Sequence, residues 1–246
     1  MDEKGIWYHS WFNSPYYHLL YNNRDDKEAH IFIDNLVTFL NPLKDTSFLD
    51  LACGKGRHSR YLNSKGFEVT GIDLSEESIQ YASQFQNENL HFYVHDMRRV
   101  FRVNYFDYVL NLFTSFGYFE TPHHDEQVLQ SVHSALKRGG TFVLDFMNAN
   151  YVINHLVAEE EKKVEGCRFS IKRRQSEGYI LKDISFDAEG HTNHFQEKVK
   201  AYTYVELSRM VTNAKLSITG TFGDYSLAPF NEKESKRLIL ICKKEK

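Results

Sequence analysis

Short apolar segments alternate with amphipathic segments between residues 48 and 145, and this alternation constrains the fold more than any other feature of the sequence. The segments with the length and composition of buried strands are residues 48–51, 67–73, 90–94, 106–111 and 141–145. Helical patterns separate them, with an expected N-cap at Ser75 and one apolar face along residues 125–136. A further amphipathic helix is predicted over residues 29–40, ending before Pro42. Strands and helices that alternate at this spacing form βαβ units, so we expect a parallel sheet.

The pattern changes after Asn150. The later predicted elements are strands at residues 168–174, 179–187, 196–203, 216–219 and 238–242 and a helix at residues 205–212. The first three of these strands are joined by turns and are expected to be antiparallel, which indicates an insertion at residues 151–203. We therefore expect one domain made of residues 1–150 and 204–246, with the insertion packed against it.

Composition and charge argue against several classes of protein. The 246 residues carry a formal net charge of −3, so the composition indicates no broad basic surface for a nucleic acid. A polar, acidic start and the absence of a long apolar run predict neither a signal peptide nor a membrane span. Three widely spaced cysteines, Cys53, Cys167 and Cys242, fit neither a zinc site nor a disulfide framework. We therefore expect a cytoplasmic protein with free thiols and without a nucleic-acid or membrane partner.

The loop after the first predicted strand has the spacing Asp50-x-x-x-Gly54-x-Gly56. The glycines allow a sharp turn and the close approach of a ligand, and the following helix is expected to end at Gly66. About twenty residues beyond the loop, Asp73 ends the second strand, where a carboxylate can accept both ribose hydroxyls of a nucleoside. The sequence therefore predicts a nucleoside site across this loop.

Two classes of ligand fit this loop, and its charge favours one of them. A dinucleotide would place its pyrophosphate next to the carboxylate of Asp50, which would repel it. S-adenosylmethionine carries an ammonium and a sulfonium group and no phosphate, so the acidic residue favours this methyl donor. An NAD-dependent oxidoreductase and an S-adenosylmethionine-binding protein without catalytic activity remain as alternatives.

Residues 48–145 resemble the core of class I, Rossmann-like, S-adenosylmethionine-dependent methyltransferases. The run from Trp7 to Arg24, Gly223-Asp224-Tyr225 and the segment Ser235-Lys236-Arg237-Leu238 resemble the small-molecule type that carries a β insertion. The motifs that carry the resemblance are Asp50 to Gly56, Asp73, His95-Asp96-Met97, Asn111-Leu112-Phe113 and Leu136 to Phe142. The resemblance implies an α/β fold with a doubly wound, seven-stranded, mainly parallel sheet whose last strand is antiparallel. It also implies an antiparallel β insertion after the fifth strand and a helical N-terminal lid at residues 1–24. S-adenosylmethionine is then the cofactor and S-adenosylhomocysteine the product.

The resemblance also assigns residues to the cofactor. In the family, an acid after the third strand meets the adenine amino group, and aromatic residues of the lid close over the donor. The residues expected to bind the cofactor are Tyr17, Tyr21, Arg24, Asp50, Ala52, Gly54, Gly56, Arg57, Asp73, Leu74, Asp96, Met97, Asn111, Leu112 and Phe113. No catalytic nucleophile or metal ligand is expected, because direct methyl transfer depends mainly on a well-positioned acceptor. The acceptor is expected to be a small molecule that binds under the insertion and the lid.

Two other groups of residues have alternative interpretations. His123 and His124 could supply a general base, but a loop with a helix cap is the favoured interpretation. The aromatic side chains from Phe113 to Phe119 follow the fourth strand, where ligands bind in open α/β sheets. They are therefore either part of the core or in contact with the acceptor.

Overall fold

The structure is a computed structural model that describes residues 7–21 and 26–245. Its helices are α1 (Trp7–Phe12), α2 (Pro15–Leu20), α3 (Asp26–Leu40), α4 (Arg57–Ser64), α5 (Glu76–Ala82), α6 (Pro122–Ala135), α7 (Ala149–Asn154) and α8 (Tyr204–Asn213). Its strands are β1 (Ser47–Leu51), β2 (Glu68–Asp73), β3 (Leu90–Val94), β4 (Phe106–Asn111), β5 (Leu136–Met147), β6 (Glu159–Val164), β7 (Cys167–Ser176), β8 (Tyr179–Ala188), β9 (His191–Lys200), β10 (Leu216–Phe222) and β11 (Arg237–Lys244). No helix in the described part of the chain is long and apolar enough to cross a membrane.

The larger sheet has seven strands in the order β10-β11-β5-β4-β1-β2-β3. β1 pairs in parallel with both β2 and β4, whereas β11 runs antiparallel to β5. The predicted doubly wound, mainly parallel sheet with an antiparallel last strand is therefore confirmed. The strand order reverses between β1 and β4, and open α/β sheets bind ligands beyond the carboxyl ends of the strands at such a point.

Helices cover both faces of this sheet because its central strands are apolar on both sides. Successive strand residues point to opposite faces, so neighbours in β1 belong to different cores. Phe48 packs with residues of α3 and α4, while Leu49 packs with residues of α6 and α8. Ser75 caps α5 as expected, since its hydroxyl accepts the backbone N–H of Ser78. The two cores hold the carboxyl ends of the strands in a fixed arrangement.

A separate antiparallel sheet contains β6, β7, β8 and β9 in that order, which confirms the predicted β insertion. The two short helices α1 and α2 confirm that the described part of the lid is helical. Trp11 and Leu20 of the lid share a buried apolar cluster with Phe169 and Ile184 of the second sheet. The lid therefore packs directly on the inserted sheet.

Several elements differ from those expected; β5, for example, covers residues 136–147 and not residues 141–145. β6 is absent from the predicted elements because its charged, mostly exposed residues form an edge strand without apolar alternation. α6 begins at Pro122 and not at Asp125, since proline suits the first turn of a helix. β9 covers residues 191–200 and not residues 196–203, so the last residues of the predicted strand lead into α8.

Candidate functional site

A cavity of about 1180 Å³ lies at the carboxyl ends of β1 to β4, where the strand order reverses, and residues of the lid form part of its wall. The predicted cofactor-binding residues that line it are Tyr17, Tyr21, Asp50, Ala52, Gly54, Arg57, Asp73, Leu74, Asp96, Met97, Leu112 and Phe113. Gly56 and Asn111 are not part of its lining, and Arg24 lies outside the described residues. The fold thus brings together most of the residues that the sequence indicates.

The loop between β1 and α4 turns through residues with positive φ, which are Ala52 at 56°, Gly54 at 54° and Gly56 at 77°. A Cβ at Gly54 would meet no atom within 4 Å, so this glycine leaves the loop backbone open to a ligand. A Cβ at Gly56 would lie 2.6 Å from the ring of Phe92, so this glycine is required for packing beneath the loop. Glycine is therefore needed at position 54 to expose the loop backbone and at position 56 to avoid a clash with Phe92.

Asp73 ends β2 and joins the glycine loop to the next helix. Its Oδ2 accepts the backbone N–H of Gly54 over 2.8 Å, and its Oδ1 accepts the backbone N–H of Ser75 over 2.8 Å. Burial raises the pKa of Asp73, and the hydrogen bonds from the backbone amides oppose this rise. An ionised carboxyl group has about four lone-pair sites, so Asp73 keeps the capacity to accept hydrogen bonds from a ligand.

Asp50 lies in β1 and is 1% exposed, and its Oδ2 accepts the hydroxyl of Ser59 over 2.6 Å. Burial raises the pKa of Asp50 to about 7; the hydrogen bond from Ser59 opposes the rise, and the charge of Asp73 adds to it. Two neighbouring carboxyl groups that resist ionisation favour a cationic ligand over an anionic one. Ser59 both packs α4 onto β1 and orients the carboxyl group of Asp50.

Asp96 and Met97 follow β3 and line the cavity, and the carboxyl group of Asp96 already has a partner. Its two oxygens accept hydrogen bonds from Nε and Nη2 of Arg98 over distances of 2.5 to 3.0 Å. Burial alone would raise the pKa of Asp96, but the hydrogen bonds and charge of Arg98 hold this pKa below its usual range. Asp96 is thus ionised and fixed in orientation by Arg98, a residue that the sequence motif does not indicate.

Asn111 ends β4 beneath the cavity wall. Its side chain is fully buried, and Nδ2 donates to the carbonyl oxygen of Leu51 over 3.3 Å and lies 3.9 Å from Sδ of Met97. Its Oδ1 has no hydrogen-bond partner in the part of the chain that the structure describes. Asn111 therefore supports the floor of the cavity from below by linking β1 to Met97.

The turn after β4 brings Phe113 to the cavity through an unusual backbone conformation. Phe113 has a φ of 56° and Thr114 a φ of 60°, in the left-handed region that residues other than glycine rarely adopt. The centroid of the Phe113 ring lies 4.8 Å from Cζ of Arg57 and 4.8 Å from the ring of His58. The ring thus contacts the start of α4 and helps to place the guanidinium of Arg57 beside the glycine loop.

The lid contributes aromatic rings to the cavity. Phe12, Tyr17 and Tyr21 line it, and the rings of Tyr17 and Tyr21 lie 4.9 Å apart. The hydroxyl of Tyr21 donates to Oε1 of Glu197 on the second sheet over 2.5 Å. The described part of the lid thus contributes three aromatic side chains to the cavity wall.

His18 also lines the cavity, although it is absent from the predicted site. Burial lowers the pKa of His18 to about 4, and the charge of Lys55 adds to this effect, so the imidazole is neutral at pH 7. Its buried Nε2 has no hydrogen-bond partner among the described residues. His18 precedes Tyr21 by three positions, and this helical spacing could have indicated that both residues share one face.

The remaining candidates occupy distinct environments. His123 lies in the first turn of α6 with its side chain 68% exposed, and neither His123 nor His124 lines the cavity. In the aromatic stretch, Phe116 is fully buried in the core, whereas Tyr118 and Phe119 line the cavity. The histidine pair is therefore part of a helix start, and the aromatic residues divide between core and site.

Comparisons with known proteins agree with this geometry. Residues 48–140 match a family model described as a methyltransferase domain. The putative methyltransferase YqeM of Bacillus subtilis (strain 168) is 40% identical over 210 residues, which cover 80% of this chain and 84% of YqeM. This similarity extends well beyond the glycine loop.

Solved structures share the fold over nearly the whole chain. An S-adenosylmethionine-dependent methyltransferase from Clostridium acetobutylicum has a TM-score of 0.78 at 22% identity, with 94% of this chain and 96% of that chain covered. An amino pentose methyltransferase from Micromonospora echinaspora, solved with S-adenosylmethionine bound, has a TM-score of 0.70 at 17% identity and covers 94% and 97%. The chain therefore belongs to the methyltransferase family, and it has the fold of the class I, S-adenosylmethionine-dependent members.

Proposed function

We propose that the protein binds S-adenosylmethionine across the glycine loop and transfers its methyl group to a small-molecule acceptor in the same cavity. The observation that carries the proposal is the pair of carboxyl groups, Asp50 and Asp73, beside a loop whose backbone is open at Gly54. A donor with an ammonium, a sulfonium and two ribose hydroxyls matches this acidic, hydrogen-bond-accepting floor. A dinucleotide matches it less well, because its pyrophosphate would lie near both acids.

Individual residues fit individual groups of the donor. Asp73 would accept the ribose hydroxyls with the lone pairs that its backbone partners leave, and Asp50 would lie on the side of the ammonium. Arg57 would bind the carboxylate, for which a guanidinium has matching geometry. Asp96 and Met97 would hold the adenine amino group and ring. The other proposed contributors are Tyr17, Tyr21, Arg24, Ala52, Gly54, Gly56, Leu74, Asn111, Leu112 and Phe113.

The proposed mechanism is direct displacement, in which the chain positions the acceptor and excludes water. When bound, S-adenosylmethionine supplies a methyl group that its sulfonium already activates. Correct positioning of an acceptor can contribute about 7–11 kcal/mol to lowering a barrier. The rings of Phe12, Tyr17 and Tyr118 line the cavity and are suited to excluding water. The neutral imidazole of His18 adds a hydrogen-bonding group to this wall.

The size of the cavity supports a small acceptor. A site for one small ligand usually measures about 300–1000 Å³. The cavity of about 1180 Å³ therefore has room for the donor and a small acceptor together. The structural neighbour from Micromonospora echinaspora is named for an amino pentose, a molecule of this size class.

The division of labour along the chain is part of the same proposal. Residues 1–150 and 204–246 would form the donor-binding domain with its lid, and residues 151–203 would cover the acceptor. A cytoplasmic location is supported by three cysteines that are all free in the structure.

Thermal denaturation with added ligands tests the donor site. A ligand that binds only the folded state stabilises it by about 2.7 kcal/mol at a concentration of 100 times its Kd. We expect S-adenosylmethionine and S-adenosylhomocysteine to raise the Tm, and NAD to leave it unchanged. A rise with NAD and none with S-adenosylhomocysteine would instead support the oxidoreductase alternative.

A second experiment separates an enzyme from a binding protein. The donor carrying a labelled methyl group is incubated with the protein and a mixture of small amines, alcohols and sugars, and labelled products are separated from the donor. We expect label to leave the donor only when protein and acceptors are both present. Tight donor binding without transfer to any acceptor would favour the non-catalytic alternative.

A further inference from the structure

A partly buried ion pair on the second sheet lies directly under the lid. Lys182 of β8 and Glu197 of β9 are register partners on adjacent antiparallel strands. Lys182 Nζ lies 3.6 Å from Glu197 Oε2, and the side chains are only 14% and 16% exposed. Neighbouring ion pairs of this sheet are more open, since the side chain of Glu160 beside Arg173 is 42% exposed. The Lys182–Glu197 pair is thus less exposed than this neighbouring pair, although Lys200 of β9 pairs with Asp125 at a still more buried position.

The other oxygen of this carboxylate binds the lid at two places. Oε1 of Glu197 accepts the indole N–H of Trp11 in α1 over 2.8 Å and the hydroxyl of Tyr21, just after α2, over 2.5 Å. Lys182 donates to the same hydroxyl of Tyr21, and its Nζ lies 4.4 Å from the centroid of that ring. One ion pair therefore connects both lid helices to the inserted sheet. We refer to Trp11, Tyr21, Lys182 and Glu197 as the clasp.

The clasp acts at the cavity through Tyr21. This residue lines the cavity, while its hydroxyl is held by Glu197 and Lys182, and neither of those residues is part of the lining. Helices α1 and α2 have six residues each, and isolated helices of that length are not stable in water. The placement of the lid over the cavity thus depends on tertiary contacts, and the clasp supplies partly buried, directional ones.

Packing alone does not account for a charged pair at this position. A buried ion pair is expensive to desolvate, and apolar side chains of similar volume often stabilise a fold equally well. The apolar cluster of Trp11, Leu20, Phe169 and Ile184 already provides adhesion between lid and sheet. What the ion pair adds is direction, because hydrogen bonds fix the angle at which each lid residue is held.

We propose that Glu197 and Lys182 are positioning residues for the donor site: they hold the ring of Tyr21 in the cavity wall and so set the affinity for donor and product without touching either. The inference rests on the proposed function, because it requires the donor to bind in this cavity. It adds that the inserted sheet, besides covering the acceptor, controls the donor through the lid.

Two readouts test the proposal, and the first requires no ligand. The sequence contains two tryptophans, so a Trp7→Phe background leaves Trp11 as the sole indole emitter. In this background, Glu197→Ala should shift the Trp11 emission, because the indole loses its hydrogen-bond acceptor and gains contact with water. Glu197→Gln retains a side-chain oxygen and should restore part of the original spectrum.

The second readout is the affinity for S-adenosylhomocysteine, measured by titration calorimetry on the full chain. Glu197→Ala should weaken binding about tenfold or more, with Glu197→Gln between it and the wild type. Glu159→Ala is the matched control, since it breaks an ion pair with Lys172 on the opposite face of the same sheet, and it should keep the wild-type affinity. Tyr21→Phe removes the hydroxyl but keeps the ring, and it should weaken binding several-fold. This variant carries the test if Glu197→Ala does not fold.

The outcomes distinguish this inference from the proposed function. Failure of the wild-type protein to bind S-adenosylhomocysteine would overturn both. A wild type that binds, with Glu197→Ala and Tyr21→Phe within twofold of its affinity, would overturn the inference alone. Equal weakening in Glu159→Ala would also overturn it, because the effect would then reflect general damage to the sheet.

Discussion

The backbone N–H of Phe113 donates to Oδ2 of Asp145 over 2.8 Å, and this bond anchors a residue whose φ is 56°. The N–H of Thr114, also in the left-handed region, donates to the main-chain carbonyl of Asp145 over 3.0 Å. Left-handed conformations cost about 1–3 kcal/mol each in residues other than glycine. A buried acid of β5 thus stabilises the strained turn that carries Phe113 into the cavity.

Replacing Asp145 by Asn should lower the free energy of unfolding far more than the small change in side-chain volume suggests. Asp145 is fully buried, and its Oδ1 lies 2.6 Å from Nη2 of Arg237. Asp145→Asn leaves this arginine without its counter-charge, and breaking a buried pair typically costs about 3–5 kcal/mol. Urea denaturation of the ligand-free protein measures the change in the free energy of unfolding.

Tyr225→Phe is the matched control for this substitution. It removes a longer hydrogen bond of 3.3 Å to Oδ2 of Asp145 and leaves the charge pair intact. A typical hydrogen bond contributes about 0.5–1.5 kcal/mol, so the loss should stay in that range. Equal losses for the Asn and Phe variants would show that the charge pair is unimportant.

Gly56→Ala should destabilise the protein through packing. The new methyl would lie 2.6 Å from the ring of Phe92, in addition to the strain of a φ of 77°. Overpacking of a core typically costs about 1–3 kcal/mol. Gly66→Ala imposes a similar left-handed strain, with φ at 93°, but meets no atom within 4 Å. We expect denaturation experiments to show the larger loss for Gly56→Ala, and equal losses would contradict the packing role.

The stability of the ligand-free protein should depend on pH through Asp50. Its pKa in the folded state, about 7, is above the ordinary value of 3.8, so the folded protein retains a proton that the unfolded chain releases. The stabilisation from this group is complete below about pH 4 and is lost as the pH rises through about 7. Each unit of pKa difference corresponds to about 1.4 kcal/mol.

Asp50→Asn isolates this effect because the amide does not titrate. Relative to the wild type, the variant should gain free energy of unfolding between pH 5 and pH 8, as measured by urea denaturation at both values. Ser59→Ala removes the hydrogen bond that lowers the pKa of Asp50, so it should move the transition to higher pH. A difference between variant and wild type that is constant with pH would refute the assignment.

The sequence was sufficient for the main sheet and the cofactor loop. Buried parallel strands leave apolar runs, and the spacing from Asp50 to Asp73 arises within one βαβ unit, so local patterns carry the information. The same locality explains why Ser75 could be identified as an N-cap. By contrast, β6 is a charged edge strand whose pairing depends on β7 and has no local signal.

Contacts between distant parts of the chain could not be predicted. Arg237 is 92 positions from Asp145, and Trp11 is 186 positions from Glu197, so no periodicity links either pair. The resemblance marked the segment containing Arg237 without giving its partner. The environment of His18 depends equally on tertiary structure, because burial and the charge of Lys55 determine that it is neutral. The sequence therefore indicated the loop residues of the site, whereas the residues that support them required the fold.

The affinity for S-adenosylhomocysteine, measured by titration calorimetry for the wild type and for Asp73→Ala, tests the central claim most directly. The wild type should bind, and the variant should lose about 1.5–3 kcal/mol, the range for hydrogen bonds to a charged group. A wild type without measurable affinity, or a variant that binds as tightly as the wild type, would contradict the proposed donor site.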